Sequence, residues 1–148
     1  MPKTETDAVA IADALRPALL RISRELRREA RDEGVSPAQV SLLVSIKYAP
    51  GIGIGELAAG ERVSPPALTK HVDRLERDGL VTRTPSADDR RRVGINLTDE
   101  GQRVLRRVRS RRTAWLASRL AKLDEHERAA IEAAVEPLMR LLPEDDPR

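Results

Sequence analysis

Between residues 34 and 98 the chain carries an ordered series of helix stops and starts, followed by a change of hydrophobic period. Ser36 is an N-cap, Pro37 fills the first helical position and Gln39 completes a capping box, so a helix starts there. It stops at Ala49, before Pro50-Gly51. Residues 54–60 predict a two-turn helix with Ile54, Leu57 and Ala58 inward. Ser64-Pro65-Pro66 opens a third helix, which runs to Asp78 and closes on Gly79. The period then switches from helical to alternating. Leu80–Thr84 and Arg92–Leu97 read as two strands joined by a polar turn.

Longer helices flank this block. Ile11, Leu15, Ala18 or Leu19, Ile22 and Leu26 recur at helical spacing and predict a helix from Asp7 to Asp32. Pro17 implies a kink or restart inside it, and Gly34 ends it. Thr98 caps a long helix to about Leu123. Asp124 and Glu127 form a second capping box for a last helix, which reaches Leu142 with a bend at Pro137. The fold class is mostly α with a small β-hairpin wing. The Gly51-Ile52-Gly53-Ile54-Gly55 run reads as a flexible connector, because no strand precedes it.

Composition narrows the chemistry. The 148 residues contain no Cys and no Phe, one Trp (Trp115) and one Tyr (Tyr48). Disulfides, thiolate metal sites and thiol redox sensing are excluded, as is an aromatic platform for stacking unpaired bases. The core must be built from Leu, Val, Ile and Ala. No apolar run approaches the roughly 18–20 residues of a membrane span, and residues near the N-terminus lack the apolar stretch expected of a signal peptide. The expectation is a soluble cytoplasmic protein that contacts no membrane. Catalysis has no support. His71 and His126 are the only histidines, no Ser-His-Asp, metal-ligand or glycine-rich phosphate pattern occurs, and no cofactor is implied.

Charge is segregated rather than large. The net value is +3. Arg103, Arg106, Arg107, Arg109, Arg111 and Arg112 cluster in one helix, whereas residues 124–148 carry eight acids against three arginines. Such asymmetry points to a polyanion at one end. For at least half of the cluster, ion pairs with acids of the last helix are expected instead.

Helix, helix, helix, hairpin is the order of a winged helix-turn-helix, whose second motif helix enters the DNA major groove. With Leu68, Val72 and Leu75 inward, that helix presents Pro66, Lys70, Asp73, Arg74 and Arg77 outward, with Thr69 on the flank. Lys70 and Arg74 are donors suited to phosphate or guanine edges. Ser64 and the first-turn amides are expected to hold a phosphate. His71 falls on the flank of the core.

The segment LTKHVDRLERDGLVTRTPSADDRRRVGINLTDEG, Leu68 to Gly101, resembles the core signature of the MarR family of bacterial transcriptional regulators. Its strongest parts are Val72-Asp73-Arg74-Leu75-Glu76, Gly79-Leu80-Val81 and the wing pattern D-x-R-x5-L-T-x-x-G at Asp89, Arg91, Leu97, Thr98 and Gly101. The resemblance implies that Arg91 enters the minor groove, that Asp89 braces the wing, and that Arg90 and Arg92 contact phosphate. It also implies a homodimer on a palindromic operator in double-stranded DNA. Residues 36–98 would be the DNA-binding domain, and residues 1–35 with 99–148 a helical dimerisation module. Leu116, Leu120, Leu138, Leu141 and Leu142 independently exceed what a small winged domain covers alone. Family effectors are small aromatic or anionic compounds bound between the two modules. The pocket residues are undefined, with Tyr48 and Trp115 as candidate liners. One departure stands out. The family often has glycine at the turn between the short helices, but Glu61-Arg62-Val63-Ser64 has Arg62, which would add a DNA-backbone contact. Repression relieved by a ligand is the leading reading. The alternatives are an architectural winged-helix DNA binder without a ligand signal and a dimeric adaptor that has lost DNA binding.

Overall fold

The computed structural model describes residues 3–144 apart from 87 and 90. Local capping chemistry sets most of the helix starts. Ser36 Oγ accepts from the Gln39 amide at 3.2 Å while Gln39 Oε1 accepts from the Ser36 amide at 2.8 Å, opening α2 (Pro37–Tyr48). Ser64 caps α4 (Pro65–Arg77), Thr98 caps α5 (Asp99–Leu120), and Asp124 with Glu127 forms the box that starts α6 (Glu125–Met139). Each such cap contributes about 1 kcal/mol.

The first helix, α1, spans Lys3–Arg28 without a break at Pro17. A short 3-10 turn, Arg31–Glu33, occupies the expected last turn. The helix is therefore shifted toward the N-terminus relative to the Asp7–Asp32 expectation. Likewise Pro137 lies within α6, near its end, without interrupting it.

Helices α2, α3 (Ile54–Glu61) and α4 enclose one apolar core. Leu43, Ile46, Leu57, Leu68, Val72 and Leu75 are all essentially inaccessible. Each contributes roughly 1.5–3 kcal/mol relative to exposure. Strands β1 (Val81–Pro85) and β2 (Val93–Leu97) form an antiparallel hairpin in the register Val81↔Leu97 to Pro85↔Val93. Val81 and Ile95 anchor its root in the same core.

The glycine run is not a loose connector. The Gly51 amide donates to the Ile95 carbonyl at 3.0 Å and the Ile95 amide to the Ile52 carbonyl at 2.9 Å, so Ile52 bridges β2 as a third, one-residue strand. The backbones meet so closely that a Cβ on Gly94 would lie 2.7 Å from the Gly51 carbonyl oxygen. This pairing joins residues some 40 apart, beyond the reach of a local sequence pattern.

Helix α5 leaves the hairpin at a tight junction. Thr98 Oγ1 donates to the Gly79 carbonyl at 2.6 Å, the Thr98 amide donates to the Leu80 carbonyl at 3.0 Å, and the Gly101 amide returns to Thr98 Oγ1 at 3.0 Å. Val104, Leu105 and Val108 then bury against the core, whereas α6 buries no residue. Apolar faces on α1 and α6 remain open: Ile11 is 64% exposed, Leu20 60%, Val135 55% and Met139 56%.

Candidate nucleic-acid interface

Helix α4 is amphipathic in the sense the sequence predicts. Leu68, Val72 and Leu75 are fully buried, while Ser64, Pro66, Lys70, Asp73, Arg74 and Arg77 are exposed and Thr69 is half-buried. Lys70 and Arg77 have no ion-pair partner among the described residues, and Arg74 Nε lies 4.0 Å from Asp78 Oδ2. Two details alter the expected phosphate cradle at the helix start. Pro65 and Pro66 carry no N–H. The Ala67 amide donates to Ser64 Oγ at 3.4 Å and the Leu68 amide to the Ser64 carbonyl. The first turn has no free amide to offer, so Ser64 serves as the cap. Thr69 Oγ1 likewise donates back to the Pro65 carbonyl at 2.9 Å.

The turn preceding α4 adopts the glycine-like geometry without glycine. Arg62 has φ 56° and ψ 40°, and is the one non-glycine residue with positive φ among those described. Amides of Arg62 and Val63 reach back to the Ala59 and Ala58 carbonyls, closing α3. Below the turn, Glu61 accepts from Ser45 Oγ at 2.5 Å and Ser41 Oγ at 2.9 Å, which fastens it to α2.

At the hairpin tip, Asp89 Oδ1 accepts from the Arg91 amide at 2.9 Å, and the Asp89 carbonyl accepts from the Arg92 amide at 2.9 Å. The carboxylate thereby folds the tip and leaves the Arg91 and Arg92 side chains exposed. Arg90 lies outside the described residues. Asn96 Nδ2 donates to Thr84 Oγ1 at 2.9 Å across the two strands.

Sequence reasoning missed Arg83. From β1 it reaches two acids of α4, Nη2 to Asp73 Oδ1 at 2.7 Å and Nη1 to Glu76 Oε2 at 3.2 Å. The hydrogen bond with Asp73, opposed in part by burial, raises the guanidinium pKa above its ordinary value. The signal was present in the strand's alternation. Arg83 is two residues from buried Val81 and so shares its inward face, beside a helix bearing Asp73 and Glu76.

The arginines of α5 find partners other than those expected. Arg107 Nε lies 2.7 Å from Glu33 and its Nη2 3.1 Å from Glu100, Arg103 pairs with Glu100 at 2.8 Å, and Arg111 pairs with Asp32 and Glu29. The acids belong to the turn after α1, the 3-10 turn and α5 itself, not to α6. Arg112 Nε donates to the Leu26 carbonyl at 3.1 Å, and its pKa is lowered by burial and by the neighbouring Arg27. Arg112 and Arg27 border a groove of about 1010 Å³ between α1, α2 and α4, with Leu19, Ile22, Val40, Val63 and His71 among its walls. Tyr48 and Trp115 do not line it: Tyr48 is 52% exposed, and Trp115 stacks under the Arg119 guanidinium at 4.2 Å.

A buried helix-turn-helix with a cation-bearing outer helix and a cation-tipped hairpin defines a winged DNA-binding protein. Comparison with known proteins agrees. The MarR family model matches residues 35–93. The HTH-type transcriptional regulator MT0903.1 of Mycobacterium tuberculosis is 34% identical over 134 residues, 90% of this chain and 94% of its own. The HTH-type transcriptional repressor MdtR of Bacillus subtilis is 35% identical over 114 residues, covering 77% and 74% of the two chains. The crystal structure of YusO from Bacillus subtilis superposes with a TM-score of 0.73 at 30% identity, over 93% of this chain and 98% of that one. The chain belongs to the MarR family. It is a DNA-binding transcriptional regulator and not an enzyme. No described helix is long and apolar enough to cross a membrane.

Proposed function

We propose that the protein is a cytoplasmic repressor that binds a palindromic operator as a homodimer and releases it when a small molecule binds. The observation that carries this reading is the distribution of charge on α4 and the hairpin. Lys70, Arg77, Arg91 and Arg92 are exposed without ion pairs among the described residues, while the neighbouring acids Asp73, Glu76 and Asp89 are engaged within the fold. Lys70 and Arg74, flanked by Ser64, Pro66 and Thr69, face the major groove. Arg91 enters the minor groove, with Arg90 and Arg92 on its phosphates and Asp89 bracing the tip. A narrow, A·T-rich minor groove would favour that insertion.

Residues 36–98 form the DNA-binding unit, and residues 1–35 with 99–148 the dimerisation module. The open apolar faces of α1 and α6 support a second copy as their cover. Two-fold symmetry then places half-sites about one helical turn apart. Repression has the precedent of the relative MdtR. The groove bordered by Arg27 and Arg112 is the effector site, and its apolar walls and two guanidinium groups suit a small aromatic or anionic compound.

In vitro selection of bound DNA, repeated with candidate ligands, tests the reading. The selected palindrome is expected to bind at least roughly 10³ times more tightly than random DNA. A smaller ratio would favour the architectural alternative. Arg91→Ala should cost about 1–3 kcal/mol of operator binding with the dimer intact, and Lys70→Ala should reduce the salt slope by about one if it contacts phosphate. Unchanged affinity in Arg91→Ala would remove the wing from the mechanism.

A further inference from the structure

Asp73 and Glu76 are unexpected on the helix that meets a polyanion. They lie three residues apart on α4, and both turn toward the hairpin, where the Arg83 guanidinium spans them. Arg83 is the more enclosed partner, with its side chain 27% exposed against 51% and 43% for the acids. Ion pairs this open contribute little to stability. Their geometry is more informative. A planar fork held by two carboxylates on one helix fixes direction as well as distance.

The position of this tie along the hairpin matters. Arg83 stands opposite Ile95 in the middle of the two-stranded register. On the root side, Val81, Ile95 and the Ile52 bridge lock the strands into the core. Beyond Arg83, Thr84 and Pro85 pair with Gly94 and Val93, and then comes the tip carrying Arg91. A two-stranded ribbon twists and bends readily, so its angle against α4 is set where it is last tied to that helix. Arg83 is that tie.

We propose that Arg83 is a positioning residue, which fixes the wing's angle against α4 through Asp73 and Glu76 and so sets the spacing between major-groove and minor-groove contacts that the protein accepts. The proposal rests on the reading of α4 and the hairpin as one DNA-binding surface. It gives the two acids a role that charge counting does not. They hold the wing at the cost of negative charge near DNA.

The sign of a charge change separates positioning from simple neutralisation. Asp73→Asn with Glu76→Gln removes two negative charges from the DNA-facing helix. Charge counting requires tighter binding to every DNA. Positioning requires tighter binding to random DNA but at least about tenfold weaker binding to the selected operator, because the wing loses its anchor. Arg83→Lys keeps the charge and loses the fork. It should leave random binding and the salt slope unchanged while erasing base preference in the flanks read by the wing, with the central preference retained. Selection of bound DNA by all three proteins reads this pattern, and circular dichroism and size-exclusion chromatography report fold and assembly. General destabilisation would instead lower preference at all positions together, and that result counts against positioning. If Arg83→Lys keeps the wild-type flanks and the double variant tightens operator and random DNA alike, the proposal is overturned. If the wild-type protein selects no sequence at all, the DNA-binding reading falls and takes this proposal with it.

Discussion

Gly101→Ala places a methyl group where the structure has no room for one. An ideal Cβ at this position would collide with the Leu80 carbonyl oxygen and lie 3.1 Å from its carbon and 3.5 Å from Leu80 Cα. These are backbone atoms, and the same carbonyl accepts the Thr98 amide at 3.0 Å, so no side chain can swing aside. Helix propensity alone predicts the opposite result, since alanine is favoured over glycine by up to about 1 kcal/mol in a helix, though Gly101 sits in the first turn of α5. Against that gain stand overpacking, roughly 1–3 kcal/mol, and a loosened hydrogen bond, about 0.5–1.5 kcal/mol. The balance is a net loss near 2 kcal/mol, or a fall in Tm of about 4–8 °C for a chain of this size. Urea unfolding followed by circular dichroism, at fixed protein concentration, measures the change as a lower midpoint with an unaltered slope. A Gly101→Ala protein as stable as the parent, or more stable, would refute the close approach. It would also leave the final glycine of the wing pattern without a physical reason.

Arg62→Gly should stabilise the protein by about 0.5–1 kcal/mol, as relief of left-handed strain exceeds the entropy that glycine adds to the unfolded chain. Arg62→Val should destabilise it, and thermal melts of both variants give the order. Acid sensitivity should be traceable to Glu100. Hydrogen bonds from Arg107 and then Arg103 hold its carboxyl below the ordinary value of 4.5. A depressed folded pKa gives stability that is present above 4.5 and is lost as pH falls through the folded value. The urea midpoint of the parent should therefore exceed that of Glu100→Gln by a constant amount near neutrality, with the gap closing below pH 4.5. A gap that persists in acid would show that Glu100 is not the linked group.

What the sequence made legible follows the range of the interaction. Ser36, Ser64, Thr98 and Asp124 act within three residues of themselves, so each helix start could be read directly. The buried stripe of α4 was equally plain, because 3.6-residue periodicity is local, and it placed Lys70 and Arg74 outward before any coordinates did. Legibility ended where distant segments meet. Ile52 pairs with Ile95, Arg83 with the acids of α4, and Arg107 and Arg111 with acids more than 70 residues away. The left-handed turn at Arg62 is a separate case, since the residue type there does not announce the geometry. Glycine's advantage in the left-handed region is a preference of about 1–2 kcal/mol, which hydrogen bonds of the surrounding turn can override.

The arginine-rich face of α5 shows how placement, rather than net charge, determines what such a cluster does. Counted along the sequence it is a basic patch. In the fold, Arg103, Arg107 and Arg111 are engaged by Glu100, Glu33, Glu29 and Asp32, while Arg106, Arg109 and Arg112 are the members without ion pairs among the described residues, Arg112 donating to the Leu26 carbonyl instead. The ladder fastens α5, which continues directly from the hairpin, to the turns that follow α1, and the groove with Arg27 and Arg112 opens beside it. Exposed pairs of this kind contribute little, because solvent screens them. An effector that lowers operator affinity tenfold must supply about 1.4 kcal/mol of differential binding between the two arrangements. Exchanging such contacts costs little, whereas separating the apolar core beneath them would cost far more. Under the proposed ligand mechanism, an effector in the groove would act first on these exposed ladder contacts, because Val104, Leu105 and Val108 hold α5 in the same buried core as the helix-turn-helix.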